Sequence, residues 1–475
     1  MSLSRRRFLG TAAATTSAFA GLAVLTGCSG DQRARNYLNQ VRGFGPLRRD
    51  RRGLFDLPDG FSYVTFSETG EEMSDGLLVP GDHDGMACFA GAEADRVILI
   101  RNHELNPGET EKSPFGPAHE RLNRIDPSYL YDTLPDGEPH LGGTTNVVVN
   151  LRNLRVEREF LSLGGTVNNC AGGPTPWNSW ISCEETLMLQ GSSARLDHGW
   201  NFEVPASASG LVEPVALRGM GRFRHEAVAV DPVTGIVYQT EDAEPGLFTR
   251  FIPDHRGELW RGGRLQALAI RGRPSADTRN WEETRDRIAV GEVLQVEWVD
   301  LDAIHNPDND IAVRGIAAGA ANFTRGEGAW FGEGELYFCC TDGGPAQIGQ
   351  IFRYRPSPYE GTPREREQPG ELTLFVESTD ARVLEKCDNI TVAPWGDLIV
   401  VEDGDGDQFI RGVTPDGQLY TIGRNAAPDQ DGEYSEITGP CFSPDGTTLF
   451  FNVQKGPGRT FAVRGPWERR SLASA

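Results

Sequence analysis

Cys170 lies among small, loop-forming residues in Asn168-Asn169-Cys170-Ala171-Gly172-Gly173-Pro174-Thr175-Pro176-Trp177, and Cys183-Glu184-Glu185 follows it. A thiol just upstream of adjacent carboxylates suits a metal cradle better than core packing. Similar local clusters recur downstream as His225-Glu226, Glu241-Asp242, Arg325-Gly326-Glu327, Asp388-Asn389 and Glu402-Asp403. Carboxylate oxygens are hard ligands suited to calcium or magnesium, whereas a thiolate suits softer ions such as iron or zinc. A site using both would hold more than one kind of metal.

Arg325-Gly326-Glu327-Gly328 is the most pointed of these segments. Glycine on both sides of Glu327 permits unusual backbone angles and close approach to a ligand. Arg325 offers a bidentate fork to an oxyanion such as phosphate. Neighbouring side chains on a strand face opposite ways, so only one of Glu184 and Glu185 can turn inward, and Glu184 is the expected one. Glu226 opens a strand whose hairpin partner ends in Glu241-Asp242, which makes Asp242 a candidate beside it. Asp388 and Glu402 flank a further hairpin as hard donors. Asp403-Gly404-Asp405-Gly406-Asp407 has the acid spacing of a calcium loop but lacks the terminal bidentate Glu of an EF-hand. The plainer alternatives are a tight-loop thiol, a polar strand start at Glu226, a salt-bridging turn at Arg325 and exposed acidic turns.

These residues are far apart in the chain, so the fold must gather them. The 475 residues include 57 Gly and 30 Pro, which fits many tight turns between short strands. Three segments share one phrasing: Val230-Asp231-Pro232-Val233-Thr234-Gly235-Ile236-Val237-Tyr238, Val392-Ala393-Pro394-Trp395-Gly396-Asp397-Leu398-Ile399-Val400 and Phe442-Ser443-Pro444-Asp445-Gly446-Thr447-Thr448-Leu449-Phe450. Each reads strand, Pro/Gly hairpin, strand, with a polar residue at the exit, and recurrence of such a unit marks β-propeller blades. The expected fold is all-β, a propeller with inserted loops and few short helices. A large β-sandwich is the alternative, and residues 275–287 are the best candidate helix. In a propeller, equivalent strand ends converge on one funnel, so carboxylates from successive blades would meet there.

The N-terminus reads as an address rather than a fold. Ser4-Arg5-Arg6-Arg7-Phe8-Leu9 has the twin-arginine form of a bacterial export signal. A mild apolar run follows, and Leu25-Thr26-Gly27-Cys28 resembles a lipobox with Cys28 as the residue to be lipid-anchored. The expected organisation is a signal over 1–27, a linker or strap over 28–52, and one propeller over 53–475. The protein would engage the twin-arginine machinery and end as a monomer in the periplasm, anchored to the membrane or released. Such export carries folded, cofactor-loaded proteins, which suits iron inserted in the cytoplasm and argues against a dense disulfide framework. The other cysteines, at 88, 170, 183, 339, 340, 387 and 441, are an odd set. Cys339 and Cys340 read as buried small residues of a strand.

A net charge of −22 excludes a nucleic-acid surface held by phosphate neutralisation. It does not exclude a small anionic substrate, because bound cations reverse the local potential of an acidic site. No G-x-S-x-G elbow, H-E-x-x-H helix or Walker loop is present. The eight histidines are dispersed with no pair at ligand spacing, which disfavours a histidine-rich zinc or copper centre.

Taken together the motifs resemble those of the PhoX-type alkaline phosphatases. The similarity runs through Arg101-Asn102-His103-Glu104, Asn169-Cys170-Ala171-Gly172-Gly173, Cys183-Glu184-Glu185, Gly221-Arg222-Phe223 with His225-Glu226, Arg325-Gly326-Glu327-Gly328, Asp388-Asn389, Glu402-Asp403-Gly404 and Ser435-Glu436. The resemblance implies a propeller with iron and calcium in its funnel that hydrolyses small phosphate monoesters. It implies Cys170 as an iron-bound thiolate, Glu226 and Glu327 as carboxylates of the iron–calcium cluster, and Arg325 as the phosphate holder, with Arg325 and Glu327 catalytic. Glu184, Asp242, Asp388 and Glu402 are implied as calcium or supporting ligands. A non-catalytic, calcium-stabilised periplasmic scaffold is the competing reading, and a lactonase or oxidoreductase on the same fold is a third.

Overall fold

The computed structural model describes residues 37–429 and 431–471. The twin-arginine segment and Cys28 lie outside the described residues. No described helix is long and apolar enough to cross a membrane.

Short strands dominate, and several are buried along their whole length, among them His225–Val230, Leu398–Glu402 and Thr448–Val453. A strand covered on both faces reads as a continuous apolar run rather than an alternation. Here the cover comes from sheets stacked face to face around an axis. Six strands form an inner ring, each packed on the next: His83–Ala90, Asn169–Pro174, His225–Val230, Gly326–Gly332, Cys387–Val392 and Ile437–Phe442. The last closes back on the first. Each is the innermost strand of an antiparallel meander, so the fold is a β-propeller of six blades, numbered 1 to 6 in that order.

Blade 6 is closed by the N-terminal strand Ser62–Phe66, which pairs with Arg459–Arg464. That pairing joins an early strand of the described chain to its last one. Phe55–Pro58 and Leu47–Arg48 extend blade 5 outward, and Phe44 is buried edge-on against Trp395, Tyr420 and Trp467. Val293–Asp300 pairs with Gly263–Ile270 of blade 3 on one side and with Glu371–Glu377 of blade 4 on the other. The two blades thereby share one nine-stranded sheet.

Residues 275–287 form turns, not the expected helix. Ser275 and Asn280 adopt left-handed φ of 54° and 57°, and the Asn280 side chain pairs with the backbone N–H and C=O of Ile288 in the manner of a strand. Local side-chain bonding of this kind competes with helix formation. The longest described helix is Ile311–Ala317. The seven described cysteines are all free thiols, with Cys339 and Cys340 buried in the strand Glu335–Cys340.

Candidate metal centre

Every inner strand breaks register with its neighbour within three or four residues of its start: between 83 and 86, 169 and 172, 225 and 228, 326 and 329, 387 and 390, and 438 and 441. A β-bulge bends the strand and re-aims a side chain. In blades 1 to 5 the residue inside the bulge is Asp84, Cys170, Glu226, Glu327 and Asp388, and each is followed by Gly, Ala or Asn. The small follower lets adjacent inner strands press together. A Cβ on Gly85 would lie 2.6 Å from the Ala171 Cα, and one on Gly328 would lie 2.6 Å from the Asn389 Cα. The five ligand-type side chains are thereby crowded onto one end of the axis.

A second tier comes from the exits of the neighbouring strands. The backbone N–H groups of Glu104, Glu185, Asp242, Thr341, Asp403 and Gln454 donate to the carbonyls of Asp82, Asn168, Arg224, Arg325, Lys386 and Glu436, at 2.9–3.2 Å. The same clasp therefore repeats in all six blades. It sets Glu104, Glu185, Asp242 and Asp403 beside the bulge residues, and it puts Arg224, Arg325, Lys386 and Glu436 on the rim. Asp82, Asn168, Arg325 and Lys386 hold left-handed backbone angles, φ 41–52°, a conformation that costs on the order of 1–3 kcal/mol each. Below the cluster the axis narrows to a cavity of about 20 Å³, where Met86, Trp180, Trp330 and Ile390 join small residues such as Gly85 and Ala227.

The donors form overlapping triads. Asp84, Glu104 and Cys170 bring ligand atoms within 4.8 Å of one another, as do Cys170, Glu185 and Glu226, and Glu226, Glu327 and Asp388. Cys170 Sγ is 3.2 Å from Glu226 Oε1 and 3.7 Å from Asp84 Oδ2. Burial, reinforced by neighbouring carboxylates, pushes the carboxyl groups of Asp84, Glu226, Glu327 and Glu436 far above their usual range. The same causes raise Glu185 and Asp388 to about 8. The Cys170 thiol is raised by burial and then by Asp84 and Glu226. Like charges this close cannot all ionise unaided, and Asp84 Oδ1 is buried without a hydrogen-bond partner. Six carboxylates and one thiol in this state suit several cations, hard ones among the oxygens and a softer one at the sulfur.

Cationic side chains reach the cluster from several blades; Arg224 Nη1 lies 3.2 Å from Glu185 Oε1. Arg325 forks onto Asp242, Nε to Oδ1 and Nη2 to Oδ2 at 2.8 Å each, and its Nη2 lies 3.2 Å from Glu327 Oε1. Its pKa is raised, first by the Asp242 bond. Lys455 is raised too, because Glu436, Asp82 and Glu104 outweigh its burial.

Cys170, Glu226, Glu327 and Asp388 thus meet, with Arg325 and Asp242 at their edge. Glu184 and Glu402 do not join them. Glu184 turns away from the axis and accepts from the N–H groups of Val167, Gly199 and Trp200 and from His198. Glu402 is clamped to the buried Arg411. In both cases the next residue, Glu185 or Asp403, faces the cluster, because each expected acid pairs across the blade with the first residue of the inner strand. Asp84 and Lys455 are not among the residues singled out from the sequence, and Glu104 and Glu436 enter there only within the motifs of the resemblance, with no role. Asp84 was reachable, since His83-Asp84-Gly85-Met86 repeats the ligand-then-small pattern of the other inner strands. Of the acidic turn, Asp407 is paired with Arg424.

A sequence profile of the family described as alkaline phosphatase PhoX matches residues 42–153 and 140–458. Among solved structures, Pseudomonas fluorescens PhoX in complex with vanadate, a transition-state analogue, superposes with a TM-score of 0.63 at 16% identity, covering 87% of this chain and 96% of that one. Virginiamycin B lyase from Staphylococcus aureus superposes with a TM-score of 0.39 at 11% identity, covering 85% and 99%. No curated protein matches the chain.

Proposed function

The chain belongs to the alkaline phosphatase PhoX family and is a phosphatase, and we propose that it hydrolyses phosphate monoesters at the axial cluster with iron and calcium bound there. The observation that carries the reading is the chain of overlapping triads from Asp84 to Asp388, built around one thiol. In this reading Cys170 holds iron, with Glu226 and Glu327 as shared carboxylates. Asp84, Glu104, Glu185, Asp388 and Asp403 supply hard oxygens for calcium. When bound, the cations would supply Lewis acidity and charge neutralisation to the phosphoryl group.

The protein's own groups do the rest. Asp242 holds the Arg325 guanidinium in one orientation through two parallel bonds, leaving Nη1 to donate to a phosphoryl oxygen. Fixed donors of this kind act where charge develops in the transition state. Lys455, on the opposite side among Asp82, Glu104 and Glu436, provides a second positive charge. Met86, Trp180, Trp330 and Ile390 beneath the cluster would narrow the far end of the axis against water. We further propose export by the twin-arginine route, with 1–27 as signal, 28–52 as linker or strap, and a monomeric propeller over 53–475.

The test is turnover of a chromogenic phosphate monoester by purified protein, with iron and calcium measured on the same sample. Turnover abolished by chelation and restored by the two metals is expected, together with inhibition by vanadate, the ligand of the Pseudomonas fluorescens relative. Calcium without iron and without turnover would instead favour a scaffold.

A further inference from the structure

A second group of ligand-type side chains lies off the axis, between blades 1 and 2. Asp132 follows the turn Pro127–Tyr129, His140 precedes the strand Gly142–Asn150, and His198 precedes the strand Asn201–Pro205. One ligand atom from each lies within 4.8 Å of the other two. All three residues are buried, both histidines at 0% exposure.

His198 donates Nδ1–H to Glu184 Oε1 at 2.7 Å. The Glu184 carboxylate is itself fixed by three backbone N–H groups at 2.9–3.1 Å, so that ring nitrogen keeps its hydrogen. His198 Nε2 then faces Asp132 Oδ2 at 3.2 Å. Asp132 Oδ2 already accepts from the N–H groups of Arg195 and Leu196. His140 packs edge-on against His198, and neither of its ring nitrogens has a hydrogen-bond partner. Its Nε2 stands 3.7 Å from Asp132 Oδ2. A buried imidazole with no partner is costly, and a cation in the space these atoms share would satisfy it.

We infer that Asp132, His140 and His198 form a second metal site, separate from the axial cluster, for a borderline divalent ion of the zinc type. Two imidazoles and a carboxylate match zinc rather than calcium. A carboxylate behind the ligating histidine is the usual outer support of such sites, and Glu184 occupies that position. The ion would pin the segment carrying Asp132 and His140 to blade 2. It would also brace the axial cluster, because Glu184 and Glu185 are consecutive residues facing opposite ways. The rival occupant is a proton: without a metal, Glu184 and Asp132 hold His198 protonated up to about 9 despite its burial.

The experiment uses the full chain crystallised with zinc, and diffraction data collected on both sides of the zinc absorption edge. An anomalous peak between His140, His198 and Asp132 is expected. A peak confined to the axial cluster, or none, overturns the site, and this outcome needs no variant to fold. Elemental analysis supplies the second arm. His140→Gln should lose one zinc per chain and keep its axial metals, whereas Cys170→Ser should keep that zinc. Equal zinc in wild type and His140→Gln would also overturn the site. Either result leaves the phosphatase reading to its own assay.

Discussion

Replacing Arg325 by alanine separates the roles proposed for the rim and for the metal ligands. The guanidinium spends Nε and one side of Nη2 on Asp242 and touches Glu327 at 3.2 Å, so one edge is locked and Nη1 is left for substrate. Losing one oriented donor to a developing oxyanion costs about 2.7–4 kcal/mol, or roughly 10²–10³ in kcat. The fold should barely notice. The Arg325 side chain is 40% exposed, and a partly exposed ion pair contributes about 0–1 kcal/mol to stability. The assay is kcat and KM on a chromogenic phosphate monoester, with metal content and denaturant unfolding measured on the same preparation. Asp242→Asn keeps the positive charge but frees the fork, and should cost about tenfold, roughly 1.4 kcal/mol. Activity of Arg325→Ala within threefold of wild type at equal metal content would refute the role. So would a loss of activity that merely tracks loss of metal, which would make Arg325 a support for the ligands rather than a donor to phosphate.

Gly328→Ala should strip the axial metals, since the new Cβ would meet the Asn389 Cα at 2.6 Å and the Asp388 O at 2.8 Å. Such overpacking costs about 1–3 kcal/mol and pushes Glu327 from Asp388; full metal content by elemental analysis would count against it. Glu402→Gln should lower stability by about 3–5 kcal/mol, because it unpairs a buried arginine that is 1% exposed; unchanged unfolding with lost turnover would return Glu402 to the active centre. In metal-free protein Glu185 and Asp388 titrate near 8, above their ordinary 4.5 and 3.8. A raised carboxyl pKa stabilises the fold fully below the ordinary value, and that contribution is lost as pH climbs toward 8. The chelated protein should therefore melt at a lower temperature at pH 8 than at pH 5. Metal should reverse the trend, since cations need ionised ligands. A stripped protein more stable at pH 8 would contradict this account.

The residues that open inner strands were legible in the chain, because a ligand-type side chain followed by a small residue and an apolar run is a local pattern. Cys170, Glu226, Glu327 and Asp388 carry it, and the repeated strand–hairpin–strand phrasing told that the blades would bring them together. Composition likewise decided the all-β class, since 57 Gly and 30 Pro punctuate the chain too often for long helices. Which of two adjacent acids faces the axis was settled only in three dimensions. Strand alternation makes Glu184 and Glu185, or Glu402 and Asp403, equivalent until cross-strand register fixes one phase, and the bulge at each inner-strand start shifts that register by a residue. The partnership of Asp132, His140 and His198 was equally invisible, because residues eight and fifty-eight positions apart carry no periodic signal. It took the packing of one blade on the next, with burial removing water as the alternative partner, to turn dispersed histidines into a candidate site.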